Sequence, residues 1–283
     1  MQAIRSFFIE RSYLEVETPV RIPAPAPEAF IEPEIAGDWF LQTSPELCMK
    51  RLLAAGLPRI FQICKCFRKG ERGHLHLPEM TMLEWYAAEH NYLDLMADCE
   101  ALLQAMPHPN QISRDESIID LTPPWHRISV SEAFRRYAPV SAEKALRDNN
   151  FDEILVDFIE PNLGFDKPVF LYDYPAPLAS LAALLPGNPK LAQRFELYIA
   201  GIELANGFTE LNNSGEQRRR FNDERELIKK QGRRPGPLPE PFLEDLKIMP
   251  AAAGIALGVD RLVMLLTGAK TINQTVAFTP ENL

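Results

Sequence analysis

Apolar residues recur along this chain with two distinct periods. Ile4, Phe7 and Phe8 at helical spacing predict an amphipathic helix, after which "YLEVETP" reads as a strand stopped by Pro19. "RIPAPAPEAF" (21–30) carries prolines at alternate positions, which excludes regular structure. It predicts an extended loop crossing an active-site edge or a subunit boundary. "WFLQ" (39–42) predicts a strand running into a helix over "TSPELCMKRLLAAG", ended by Gly56. "RIFQICKCF" (59–67) and "MTMLEWYAAEH" (80–90) predict two strands separated by the polar loop "RKGERGHLHLPE".

Asn91 is placed to cap a helix whose Leu95, Met96, Cys99, Leu102 and Leu103 form one face. Residues 106–128 are proline-rich and read as irregular. Ser129 and Glu132 fit a capping box for a helix ending near Tyr137. Residues 140–165 predict further helices, and "PVFLYDYP" (168–175) a strand. "RFELYIAGIELANGFTEL" (194–211) predicts a strand pair turned near Gly201. "GEQRRRFNDERELIKKQGRRPG" is a charged helix with a basic tail, and "GIALGVDRLVMLL" (254–266) a short strand feeding a helix. With neither an internal repeat nor a clear linker, the pattern predicts one mixed α+β domain over 1–283.

The 283 residues are 46% hydrophobic and 24% charged, ordinary for a globular protein able to bury a large core. The formal net charge of −9 disfavours generalised binding to a nucleic-acid backbone. No apolar run approaches the roughly 18 residues of a membrane span. The N-terminus, broken by Arg5, Glu10 and Arg11, does not read as a signal peptide. Four cysteines do not make a disulfide framework, so the expected setting is reduced and cytoplasmic.

Several groupings carry possible chemistry. In "TSPE", Ser44 as N-cap, Pro45 at the first helical position and Glu46 in the first turn form an ordinary helix start. The loop 68–79 holds Arg68, Lys69, Glu71, Arg72, His74, His76 and Glu79; it reads either as a solvated hairpin tip or as a phosphate-binding loop built on Arg68. Cys64 and Cys66 share a strand face near His74 and His76. Their CxC spacing lacks the zinc-knuckle pattern and fits core cysteines better. Glu203 and Glu210 lie seven residues apart in an apolar hairpin with Asn206 between them. They read as surface acids or as ligands of Mg²⁺ on nucleotide phosphates. Gly254 and Gly258 thin one strand so that a flat ligand can approach, and Arg261 in the next helical turn suggests an anionic or stacked partner.

Taken together, these segments resemble the catalytic core of class II aminoacyl-tRNA synthetases, specifically the lysyl branch, from end to end. "FIERSYLEVETP" is similar to motif 1, "CFRKGERGHLHLPEMTMLEWY" to motif 2 with Arg68 as its arginine, and "GIALGVDRLVMLL" to motif 3 with Arg261. "TSPE", "EWY" and "GIELANGFTEL" resemble the amino-acid and metal-binding segments of that branch. The resemblance implies an antiparallel sheet flanked by helices, use of ATP and Mg²⁺, and a homodimer. Lysyl-tRNA synthetases carry an anticodon-binding domain before motif 1, whereas this chain starts almost at motif 1, so tRNA is not an expected partner. "IELANGF", "LEWY" and "GVDRLVML" resemble most closely the stand-alone lysyl-type ligases that attach (R)-β-lysine to elongation factor P.

By that resemblance Ser44, Glu46, Glu84, Tyr86 and Glu210 hold a lysine or β-lysine substrate. Arg68, Glu71, His76, Met80, Glu203, Leu204, Gly258 and Arg261 surround ATP, and Glu203 with Glu210 carries Mg²⁺. Ala256 stands where synthetases have glycine, and its methyl group is expected to favour β-lysine over α-lysine. Lys69-Gly70, Leu77 and Met80 depart from the usual motif 2 residues, all on the ATP side. Two other readings remain: a lysyl-tRNA synthetase-like enzyme acting on tRNA, and a catalytically silent module on a synthetase core. The basic run Arg218–Arg234 reads as a solvated helix face or as a contact for an acidic partner.

Overall fold

The computed structural model describes residues 1–108, 110–114 and 116–283. Helix α1 (Gln2–Glu10) buries Ile4, Phe7 and Phe8, and a two-residue strand β1 (Leu14–Glu15) follows. Of "YLEVETP", Leu14 and Glu15 pair in parallel with the β5 strand described next, and the Val16 N–H donates to the Phe61 carbonyl of that strand. The proline-rich segment contributes the short strand β2 (Arg21–Ile22), which joins β3 (Ile35–Ala36) and β4 (Trp39–Leu41) in a small separate sheet. Helix α2 (Glu46–Ala54) leads to the long hairpin of β5 (Arg59–Phe67) and β6 (Glu79–Ala88). Residues 82–87 of β6 are buried on both faces, one side against the core and the other against a cavity.

Asn91 caps α3 (Tyr92–Ala105) in a reciprocal box with Asp94. The stretch expected to be irregular instead holds a small hairpin, β7 (Gln111–Arg114) with β8 (Ser117–Asp120), and the edge strand β9 (His126–Ser129). Ser129 accepts from the Glu132 N–H to start α4 (Val130–Tyr137). Glu132 does not return the bond; its carboxylate pairs with Arg135. Two short helices, α5 (Ala142–Arg147) and α6 (Phe151–Ile154), precede β10 (Val169–Pro175), β11 (Leu184–Leu185) and β12 (Asn188–Ile199).

The turn from β12 into β13 (Ile202–Thr209) puts Ala200 and Gly201 at φ 52° and 70°. A two-residue hairpin needs positive φ at both centres. The register then slips, Leu197 facing Ala205 while Tyr198 faces Glu203, so Leu204 is an extra residue in β13. Helices α7 (Ser214–Lys230) and α8 (Glu240–Asp245) lead to β14 (Ala252–Gly258) and α9 (Val259–Thr267).

The main sheet runs β1-β5-β6-β14-β13-β12-β10-β9, with β11 beside β12. It is antiparallel except at its two ends, where β1 joins β5 and β9 joins β10 in parallel. Alternation divides its residues between two layers. Leu83, Trp85, Phe195, Leu197, Ile255 and Leu257 pack in the largest core cluster with residues of α1, α3 and α9. Ile60, Tyr86 and Phe208 face the opposite way, towards residues of α2, α7 and α8. No helix among the described residues is long and apolar enough to cross a membrane.

Candidate active site

The second face of the sheet carries polar groups in register. Gln62, Glu84, Ala256, Asn206 and Glu196 form one row across β5, β6, β14, β13 and β12; Ile60, Tyr86, Gly254, Phe208 and Arg194 form the next. A cavity of about 450 Å³ opens over these rows, roofed by residues 28–31 and walled by the 68–79 loop, α2 and the start of α9. Ser44, Glu46, Glu84, Tyr86, Arg68, Glu71, His76, Met80, Glu203, Leu204, Ala256, Gly258 and Arg261 all line it. Glu210 lies behind Gly254 at the cavity's inner end, where a Cβ on Gly254 would collide with the Tyr86 ring and the Glu210 carboxylate.

One end of the cavity is acidic. Lys50, 1% exposed, places its ammonium 2.5 Å from a Glu46 carboxylate oxygen and in an ion pair with Glu210. The Ser44 hydroxyl donates to Glu84 at 2.6 Å and accepts from the Glu46 N–H at 3.0 Å, while the Tyr86 hydroxyl donates to Glu84 at 2.8 Å. Three carboxylates therefore face one ammonium in a nearly dry setting. Burial pushes Glu84 up to about 7, helped by neighbouring Glu46 and opposed by Ser44, Tyr86 and Lys50. Burial pushes Glu210 up to about 8, with Lys50 pulling it back. Burial alone would lower Lys50, but Glu210 and Glu46 hold it above the usual lysine value. Without a ligand the Glu84 and Glu210 carboxyls are partly protonated at neutral pH, and a ligand cation placed among them would favour their ionised forms.

The other end is cationic. Arg68 ends β5 with a buried Nε that has no acceptor, and its ion pair with Glu71 is long at 3.8 Å. Its guanidinium remains available to an anion. Arg261 is braced from two sides: it donates to the Glu203 carbonyl at 2.5 Å and carboxylate at 3.2 Å, and to the Leu75 carbonyl at 3.3 Å. Its NH2 also lies 2.6 Å from His76 Nε2. Burial and the adjacent Arg261 charge lower the His76 pKa, favouring the neutral ring. A Cβ built on Gly258 would lie in ordinary contact with the Arg261 stem, at 3.6–3.7 Å from its nearest carbons. Asp260 anchors α9 by accepting from the Thr81 N–H at 2.6 Å.

The structure modifies several expectations. Glu203 and Glu210 do not meet at one ion: they sit at opposite ends of β13, separated by on the order of 20 Å of strand. Glu210 belongs to the acidic end and Glu203 to the cationic end. Glu203 alone, half-open beside Arg261, suits Mg²⁺, which takes one or two carboxylates together with substrate phosphates. Ser44 does both jobs at the start of α2: its oxygen accepts from the Glu46 N–H, with Pro45 already in helical conformation, while its proton goes to Glu84. Cys64 and Cys66 share a face with sulfurs 3.9 Å apart, but His76 is engaged by Arg261. Among the described residues no three His, Cys, Asp or Glu side chains cluster for a metal.

Much of the basic run is internally paired, Arg218 to Glu240, Arg219 and Arg220 to Glu216, and Lys229 to Glu226. Lys69 turns away from the cavity to Glu32, and Leu77 packs into the main core.

Pattern reading overlooked Lys50, Arg194 and Glu28. Lys50 shares the buried α2 face with Leu47 and Leu53, three residues away on each side, a spacing that was available in the sequence. Arg194 donates to Glu196, the Leu178 carbonyl and Asn206, fixing the amide that lines the cavity floor. Its signal was an Arg-x-Glu alternation inside an otherwise apolar strand. A family model, tRNA synthetases class II (D, K and N), matches residues 1–282.

Proposed function

Since the chain belongs to the tRNA synthetases class II (D, K and N), a family of ATP-dependent ligases, we propose that it activates (R)-β-lysine and transfers it to a lysine side chain of elongation factor P. The observation that carries this reading is the two-ended cavity. Three carboxylates against one ammonium repel an aspartate side chain and leave an asparagine side chain without charge compensation. The distal ammonium of a lysine-like amino acid supplies a cation at that end. Arg68 and Arg261 at the other end suit a nucleotide triphosphate.

In the first step the substrate carboxylate oxygen attacks the α-phosphorus of ATP, forming an aminoacyl-adenylate and releasing pyrophosphate. Arg68, at the junction of the two ends, stabilises the charge that develops on the α-phosphate. Arg261 holds the γ-phosphate and covers the adenine, which Met80 and Leu204 border. Glu203 would hold Mg²⁺, which when bound neutralises phosphate charge. In the second step an ε-amino group attacks the acyl carbon and AMP leaves. Positioning and electrostatics supply most of the rate.

Ala256, on the floor opposite Glu84 and Asn206, fills space near the substrate's amino end and favours a β-amino acid. The net charge of −9 favours a protein acceptor over tRNA. Leu14 on the sheet's end strand is 52% exposed and suits a homodimer, testable as a solution mass about twice 32.1 kDa. The deciding experiment is ATP–pyrophosphate exchange with (R)-β-lysine, α-lysine, asparagine and aspartate, followed by transfer to elongation factor P or tRNA. Exchange only with aspartate or asparagine overturns the substrate, exclusive transfer to tRNA overturns the acceptor, and silence with all four supports an inactive module.

A further inference from the structure

The loop over the cavity carries a carboxylate that neither end of the site engages. Glu28, Ala29, Phe30 and Ile31 line the cavity from above. Their backbone is clamped from outside: the Ala29 N–H donates to Glu224 of α7 at 2.7 Å, and the Ala29 carbonyl accepts from Arg233 just beyond that helix. Lys69 adds a second fastening through Glu32, its ammonium 2.6 Å from the carboxylate and its N–H 2.8 Å from the carbonyl. Glu28 itself has no hydrogen-bond or ion-pair partner among the described residues. Burial, with Glu46 nearby, pushes it up to about 7, while Arg68 pulls it down. Glu28 thus lines the same cavity as Glu46 and Arg68 and feels the charge of both. Its carboxylate is partly buried, has no partner among the described residues and hangs from a backbone held on both sides, so it is free to take a ligand cation.

We propose that Glu28 is a specificity-determining residue that receives the substrate ammonium group nearer the reacting carboxylate, leaving the distal ammonium to Glu84 and Glu210. This rests on the diamino-acid reading above. That reading places the α-phosphate on Arg68 and the attacking carboxylate beside it, so an ammonium one or two carbons away falls beneath the Glu28 loop. Glu28 from the roof and Ala256 from the floor then bracket the same part of the substrate.

The test is amino-acid-dependent pyrophosphate exchange by the full chain and by Glu28→Gln, with α-lysine, (R)-β-lysine and, as a competitive inhibitor, 6-aminohexanoate. The last keeps the distal amine and the carboxylate but lacks the proximal amine. Glu28→Gln should raise KM for the better lysine isomer at least tenfold while leaving the 6-aminohexanoate inhibition constant and the ATP KM within twofold. Glu28→Asp, which only shortens the reach, should give an intermediate KM rise with the same selectivity. An unchanged lysine KM, or an equal loss for lysine and 6-aminohexanoate, overturns the role of Glu28 alone. A wild-type chain that exchanges with neither lysine isomer overturns the diamino-acid reading, and this inference with it.

Discussion

Replacing Lys50 by Met tests the charge arrangement of the acidic end without leaving a large void. The ammonium is 1% exposed, lies 2.5 Å from Glu46, pairs with Glu210 and sits 5.1 Å from the centre of the Phe208 ring. Its removal leaves Glu210 buried beside two other carboxylates. The consequence depends on pH, because Glu210 is already held at about 8 with Lys50 in place. A carboxyl whose folded pKa exceeds its unfolded value stabilises the fold fully below the unfolded value, near 4.5. That contribution is lost as pH rises through the folded pKa.

In the wild type the Glu210 loss is therefore complete a little above pH 8. Without Lys50 the folded pKa rises further, and the loss continues beyond that point. At pH 7 Glu210 is mostly protonated, and the variant forfeits charge-assisted hydrogen bonds worth about 1.5–3 kcal/mol. At pH 9 it approaches the penalty for an orphaned buried charge, about 3–5 kcal/mol. Urea unfolding of the ligand-free protein, followed by fluorescence of buried Trp85 and Trp125, measures both values. The double variant Lys50→Met/Glu210→Gln should recover most of the pH 9 loss. A difference from wild type that is the same at pH 7 and pH 9, or below about 1 kcal/mol at both, would refute the reasoning.

Three further outcomes follow from the same geometry. Gly254→Ala drives a methyl group into Tyr86 and Glu210, so it should cost about 1–3 kcal/mol of stability and weaken amino-acid binding by calorimetry with ATP affinity retained. Glu84, held at about 7, makes the ligand-free protein lose stability as pH rises from about 4.5 to about 7; Glu84→Gln should flatten the decline between pH 5 and pH 8 by about 2.5 kcal/mol in melting curves. Ala256→Gly should relax the choice between the lysine isomers in pyrophosphate exchange, and an unchanged ratio counts against the methyl group as the selector.

The parts of the fold legible from sequence were those with long, unambiguous patterns. The β5 strand coincides with the run 59–67, and β12, β13 and β14 follow from apolar stretches punctuated by glycine. The β7–β8 hairpin was not legible, because four-residue strands among prolines leave too few alternations to establish a period. At the site, Arg68 just past an apolar strand and Arg261 in the first turn of an apolar helix stand out by local contrast, whereas Glu84 is pointed to by the resemblance alone; all three line the cavity. Lys50 was not legible, since a lysine four residues after a glutamate reads as a surface pair until its burial is known. Glu203 and Glu210 stand seven residues apart along one extended strand, and the rise per residue already sets them too far from each other to share one ion. Glu28 carried no local signal, its placement depending on Glu224 and Arg233, about two hundred residues further along.

The most direct test of the central claim is a crystal structure with a non-hydrolysable sulfamoyl analogue of the β-lysyl-adenylate. The account predicts the distal ammonium at Glu84 and Glu210, the sulfamoyl group on Arg68 and the adenine beneath Arg261, all within the one cavity. An analogue bound elsewhere, or lying in this cavity with its ammonium groups away from all the carboxylates, would contradict it.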